Sequence, residues 1–207
     1  MAEVQDIFGK VASGKVGTVS LYPLRGKTIM RSLRTDKGGP RTENQLRNQR
    51  RFKEIRKFCT PFKFVVIPRI WNDLATTSSG YHLFMKANSP AFDPDGVLAY
   101  PEKIRLSMGK LALPEGMQAK RTSEGGTTIE VKWEKDLEFV GISNKDQLMV
   151  ISTAGGKYSN IKDTGLTRGN LGGSFELPAM ASSASHIYLF FESIDQKYYS
   201  ESACLDI

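Results

Sequence analysis

The sharpest apparent chemistry lies in Gly9-Lys10-Val11-Ala12-Ser13-Gly14-Lys15-Val16. These residues follow the G-x-x-x-x-G-K of a phosphate-binding loop. In such a loop the amides cradle phosphates, the lysine reaches the outer ones, and a closing Ser or Thr hydroxyl holds magnesium. Here the closing position is Val16, which carries no hydroxyl. A phosphate loop must also open a helix so that its amides converge. Gly17-Thr18-Val19-Ser20 follows instead, in the alternation of a strand. The segment reads as a glycine-flanked β-turn, and nucleotide binding is not expected.

Other chemistries fare no better. His82 and His186 are the only histidines and so the only unperturbed bases near neutral pH. Both sit in apolar stretches that favour a structural role, and no G-x-S-x-G elbow accompanies them. Cys59 and Cys204 lack a C-x-x-C spacing, and no H-x-x-x-H or EF-hand spacing occurs. Asp93 and Asp95 flank Pro94, as in a turn. The expectation is a protein that is not an enzyme, with no cofactor, no metal and no small-molecule substrate.

The informative chemistry is charge. The 207 residues carry a net +7, and its placement is uneven. Residues 1–57 hold 14 Lys and Arg against 5 Asp and Glu, whereas residues 58–207 hold 15 against 17. Such asymmetry points to an anionic partner for the N-terminal part. The residues expected to meet it are Arg31, Arg34, Arg47, Arg50, Lys53 and Lys57, within a set that includes Arg25, Lys27, Arg41, Arg51 and Arg56. On phosphates they would give salt-sensitive and largely sequence-independent affinity. An acidic protein surface satisfies the same charges, and a solvated face is the third alternative.

These side chains need elements to carry them. Residues 14–33 read as a β-hairpin or small β-unit, with Pro23 and Gly26 at the turn, and 35–41 as a breaker. A helix follows, with Thr42 as N-cap and Gln45 completing a capping box. Its spacing puts Phe52, Ile55 and Cys59 on one face and Arg50, Lys53 and Lys57 on the opposite one, and it stops at Thr60-Pro61. A second helix is expected near 69–76, Tyr81 to Asn88 suits helix or strand, and 89–101 is irregular. From residue 103 the pattern changes to short strands, at 103–108, 117–122, 127–133, 147–153, 156–161, 173–177, 186–193 and 196–205. Turn clusters separate them, which predicts an immunoglobulin-like antiparallel β-sandwich with Trp133 as a core anchor. The fold class is therefore α+β. A basic segment over 1–100, a small hairpin plus basic helices, precedes an immunoglobulin/fibronectin-III-like sandwich over 101–207. No apolar run approaches the roughly 20 residues of a membrane span. MAEVQDIFGK lacks the apolar stretch of a signal peptide, so the cytoplasm, or a particle assembled there, is the expected location. Both cysteines are expected to be free thiols.

SGKVGTV at 13–19, RGKTIMRSL at 25–33, the P-R-T-x-x-Q of 40–45 and the R-x-F from Arg50 with its F-x-x-P from Phe58 resemble the start of an uncharacterised family common in Bacteroidetes. The resemblance continues through YPEKIRLSMGKL at 100–111, IEVKW at 129–133, QLMVIS at 147–152 and HIYLFFESIDQKYYSES at 186–202. It implies a two-part architecture and no activity or catalytic residue. The chain departs from the family in the arginine content of 47–57, so the resemblance does not extend to nucleic-acid binding there. The Gly-Lys-Val-Gly hairpin with a basic capped helix is also similar to small prophage-encoded particle proteins. Together these lead to a non-catalytic structural or adaptor subunit of a larger assembly, phage-derived in one form of the reading. It would meet a protein partner or further copies of itself. The alternative is a sequence-nonspecific nucleic-acid-binding protein using the same basic helix.

Overall fold

A computed structural model describes residues 2–4, 13–24, 26–33, 39–135, 143–178 and 181–207. The protein is a mixed α+β molecule with three antiparallel sheets, and it divides into two compact units, Met1–Thr42 and Glu43–Ile207.

The first unit is one sheet of β1 (Ala2–Val4), β2 (Gly14–Val16), β3 (Val19–Leu24) and β4 (Lys27–Ser32), in the order β1-β4-β3-β2. β2 and β3 are joined by the two-residue turn Gly17-Thr18. Gly17 stands at φ +55°, which glycine adopts freely and which suits a tight hairpin. Cross-strand pairing puts Val19, Leu21, Met30 and Val16 on one side, and Lys15, Ser20, Arg31, Tyr22, Ile29 and Lys27 on the other. In β2, β3 and β4 only Thr28 is buried, and no residue of these three strands belongs to either hydrophobic core described below. The phosphate-loop-like residues Gly9–Ala12 and the site candidate Arg34 lie outside the described residues, as does Arg25.

The second unit opens with α1 (Glu43–Cys59), directly after the Thr42 read as its cap. Pro61 has no amide proton with which to continue the helical ladder, and Thr60, itself at φ −59° and ψ −47°, carries the chain straight into the 3₁₀ turn Pro61–Phe64. Ile55 and Cys59 are buried on its inner face, half-buried Phe58 packs beside them, and Phe62 follows in a 3₁₀ turn. Phe52, expected on this face, is 50% exposed. A single wide π turn, Ile67–Trp71, absorbs Pro68 and leads into α2 (Asn72–Leu74). The ambiguous stretch is α3 (Gly80–Asn88), capped by Ser79 Oγ, which accepts from the His82 amide. At its end, buried Asn88 donates to the carbonyls of Phe84 and Arg105 and accepts from the Arg105 amide.

Two further sheets follow. One contains β5 (Gln118–Arg121), β6 (Thr128–Lys132) and β10 (Gly172–Glu176), ordered β10-β6-β5. The other contains β7 (Gln147–Ala154), β8 (Lys157–Tyr158), β9 (Lys162–Thr167), β11 (His186–Glu192) and β12 (Ala203–Asp206). Its order is β12-β11-β7-β8, with β9 also pairing β7. Residue 103–108 is not a strand. Leu106 and Ser107 are buried and fixed singly: the Leu106 amide donates to Ser202 Oγ and Ser107 Oγ donates to the Ser200 carbonyl.

β11 pairs along its whole length with Gln147–Thr153 of β7, and Leu148–Ile151 and Ile187–Phe191 are buried on both faces. Leu148, Val150, Ile187, Leu189 and Phe191 pack with Ile129, Val131, Trp133 and Phe175 in a core between the two sheets. Their neighbours Met149, Ile151, Tyr188 and Phe190 point the other way and join Ile55, Cys59, Ile70, Trp71 and Phe84 of the helical layer. The second unit thus has three layers: helices, five-stranded sheet, three-stranded sheet. The change of pattern near residue 100 falls inside this unit.

Candidate functional site

The outer face of α1 carries four of the six predicted partner-binding residues, and its geometry sorts them. Arg47 Nε and Nη2 grip Asp95 Oδ1 and Oδ2 at 2.7 and 2.9 Å, a bidentate pair. The Arg47 hydrogen bond holds the Asp95 carboxyl below its ordinary range, and Asp95 raises Arg47 in return. Lys57 Nζ donates to both oxygens of Glu54, at 2.7 and 3.0 Å. Arg50 and Lys53 are exposed and, among the described residues, make no ion pair or side-chain hydrogen bond. Arg56 is in the same condition. Arg31 is exposed on β4 in the first unit.

Asp95 reaches α1 because of its loop. Asp93 Oδ1 accepts from the amides of Asp95 and Val97, an arrangement that closes the turn. Gly96, at φ +91°, then passes so close to the helix that a Cβ there would stand 3.0 Å from the Arg51 Cα. Arg51 faces inward on the same side, and its Nη2 donates to the carbonyls of Ser89 and Phe92 at 2.8 and 3.1 Å. One arginine is therefore a fastener for the 89–92 segment, while its neighbour Arg50 faces water.

Between the unpaired cations lies a groove of about 660 Å³. Leu46, Phe52 and Tyr81 form its apolar part, and Arg50, Lys53, Arg56 and Lys57 its basic part. Leu46 is 40% exposed and Phe52 50%. Sequence reasoning identified the cations but missed the groove, because it assigned Phe52 to the core and left Tyr81 unplaced. Leu46, with Arg50 and Lys53 at i+4 and i+7 from it, was the available signal.

Elsewhere the polar groups fasten the fold. Glu192 has a side chain only 1% exposed, and both its oxygens accept from Arg69 Nη2 at 2.7 and 2.6 Å. Arg168 and Asp146 are a buried pair at 3.4 Å. The Arg168 guanidinium lies 4.2 Å from the Phe191 ring centroid and donates to the Ala112 carbonyl. His186 Nδ1 and Asp206 Oδ1, 2.6 Å apart, sit opposite each other in the β11–β12 register. His82 Nδ1 meets Ser79 Oγ at 2.9 Å. Cys59 is buried and Cys204 half-buried, both free. Burial pushes the Cys59 thiol up to about 12, so it is a neutral, unreactive group at physiological pH.

A second cavity, of about 430 Å³, opens beside β8 and is lined in part by Ser152, Lys157, Tyr158 and Lys162. Lys162 Nζ already donates to the Glu176 carbonyl, so fewer free charges converge there than on α1. Among the described residues no group of three or more His, Cys, Asp or Glu is placed to hold a metal ion. None of the described helices is long and apolar enough to cross a membrane. The chain matches no protein-family model, no curated protein and no solved structure.

Proposed function

We propose that this protein is a non-catalytic adaptor subunit of a larger assembly, and that it docks an acidic protein partner on the outer face of α1. One observation carries the reading: Leu46 and Phe52 are exposed within a groove beside Arg50, Lys53 and Arg56, which have no ion pair among the described residues. Exposed apolar side chains interspersed with free cations suit an interface that combines burial with charge steering. A solvated charge face needs no exposed leucine and phenylalanine beside its cations.

The sandwich reading of the sheets goes with this proposal. Counting from β5, the first, second and sixth strands form one sheet, and the third and last two lie together in the other. That division supports an immunoglobulin/fibronectin-III-like arrangement, a type that docks by its edges and end loops. Residence in the cytoplasm, or in a particle assembled there, suits such a subunit.

The second reading is phosphate binding by the same helix, and the cations without a partner favour it. Against it, Arg47 and Lys57 already hold Asp95 and Glu54, so two of the four expected phosphate contacts would have to break an internal pair first. The deciding experiment titrates the full chain with a random duplex and a single strand across a salt series. The adaptor reading expects no binding at micromolar protein in physiological salt. Tight binding whose logarithm falls with log salt at a slope of about −3, abolished by R50E/K53E/R56E, would replace it with the nucleic-acid reading.

A further inference from the structure

We infer that the occupant of the α1 groove is an acidic amphipathic helix of about four turns. The inference rests on the docking reading above and adds the conformation and side-chain pattern of the partner. The groove-lining positions run from Leu46 to Thr60, which spans about 21 Å along a helix axis at 1.5 Å per residue. That is the length of about 14 helical residues. Arg50, Lys53 and Arg56 are three residues apart, so their Cα atoms advance by about 4.5 Å at each step. A facing helix repeats its side chains on one face at i, i+3, i+4 and i+7, with matching advances of about 4.5–6 Å. An extended strand repeats on one face at about 6.6–6.8 Å and falls out of step within two cations.

The apolar wall gives the second half of the pattern. Leu46 and Phe52 are six residues apart and so about 9 Å along α1, and Tyr81 of α3 adds a further aromatic ring to the groove lining. Anchors separated by two turns on an incoming helix reach both ends of this wall, which is the helix-in-groove mode of recognition. Glu or Asp flanking those anchors would meet Arg50, Lys53 and Arg56. Lys57 is held by Glu54 and adds positive field without needing a partner.

The test uses the full chain and four labelled probes. One is a synthetic 14-residue peptide with Leu at i, i+3, i+7 and i+11 and Glu at most other positions. The others are the same composition scrambled to remove the amphipathic face, the peptide with every Leu replaced by Ala, and a single-stranded oligonucleotide. Binding is read by fluorescence anisotropy, and peptide helicity by circular dichroism. The expected result is micromolar binding of the first probe with a rise in helicity, at least tenfold weaker for the scrambled and Ala peptides. Phe52→Asp and R50E/K53E/R56E should each weaken it at least tenfold. Phe52 and the three cations are exposed, so both variants should keep the wild-type spectrum and melting temperature. Equal affinity for amphipathic and scrambled peptides, still lost in the triple reversal, would overturn the helix and leave the acidic-partner reading standing. Binding of the oligonucleotide alone would overturn both. Failure of every acidic peptide to bind, with the fold intact, would overturn both as well.

Discussion

Arg50 and Arg51 are adjacent in sequence and opposite in role, and a helical wheel cannot separate them fully. Position on the wheel states which way a side chain leaves the helix, and it gave the stripe of Arg50, Lys53 and Lys57 correctly as exposed. It does not state what arrives from elsewhere in the chain. Asp95 comes to Arg47 from 48 residues away, brought by the close passage of Gly96. Phe52 was misplaced for the same reason, since an apolar residue on the core flank is buried only if something covers it. The Arg47–Asp95 clamp has a defined pH dependence. Asp95 is depressed by Arg47, so its contribution is fully present above the ordinary aspartate value near 4 and disappears as pH falls through the lower folded value. Carboxyl NMR titration should therefore find Asp95 below the aspartate norm in the wild type and back near it in Arg47→Ala. At Glu192 a larger effect is expected. Arg69→Ala leaves a buried carboxylate without its cation, and breaking a fully buried pair costs about 3–5 kcal/mol. Arg69 is about one-third exposed, so the loss in urea unfolding should be nearer about 2 kcal/mol. A change below about 0.5 kcal/mol would show that the neighbouring Tyr199 hydroxyl or water already satisfies Glu192.

Among the elements, β11 contains the clearest lesson. Ile187-Tyr188-Leu189-Phe190-Phe191 is apolar without alternation, the mark of a strand covered on both faces. Reading it as one strand of a two-layer sandwich left half of its side chains facing water. The unbroken run was the legible sign that the helical segment must lie over this sheet, and that a boundary at residue 100 would cut through a shared core. β9, Lys162-Asp163-Thr164-Gly165-Leu166-Thr167, was not legible, because its strand character comes from pairing with β7 across a register shift and not from its composition. Residues 103–108 show the converse, an apolar segment buried without ladder pairing. Mutation can distinguish three layers from two. Phe190→Ala should cost about 3–5 kcal/mol and Leu189→Ala about 2–5 kcal/mol, because each empties space in a different core. In a two-layer structure one of the two neighbours would face solvent and cost within about 0.5 kcal/mol.

At the scale of the whole molecule, each core of the second unit holds one tryptophan, Trp71 with the helices and Trp133 between the sheets. Because β7 and β11 belong to both cores, fluorescence of Trp71→Phe and of Trp133→Phe should report the same urea midpoint relative to each variant's far-ultraviolet signal. Separate midpoints would mean that the layers unfold independently. Alkali should act on the helical side. Burial raises the Cys59 thiol and the Tyr158 hydroxyl to about 12, and the Tyr188 hydroxyl higher still. Stability from these groups is complete below their unfolded values, about 8.5 for Cys and 10 for Tyr, and declines as pH rises from there towards 12. Melting temperature should hold near pH 8 and fall above about 9, less steeply in Cys59→Ala. The doubly covered sheet also sets a clock on synthesis. Ile55, Ile70, Trp71 and Phe84 are translated before residue 92, yet the strand they pack against ends at Glu192, about 100 residues later. At about 5–20 residues per second the helical layer waits about 5–20 s with its apolar side uncovered. For that interval the nascent chain depends on chaperones or on transient self-cover, and slow codons placed between residues 92 and 192 should lower the yield of folded protein.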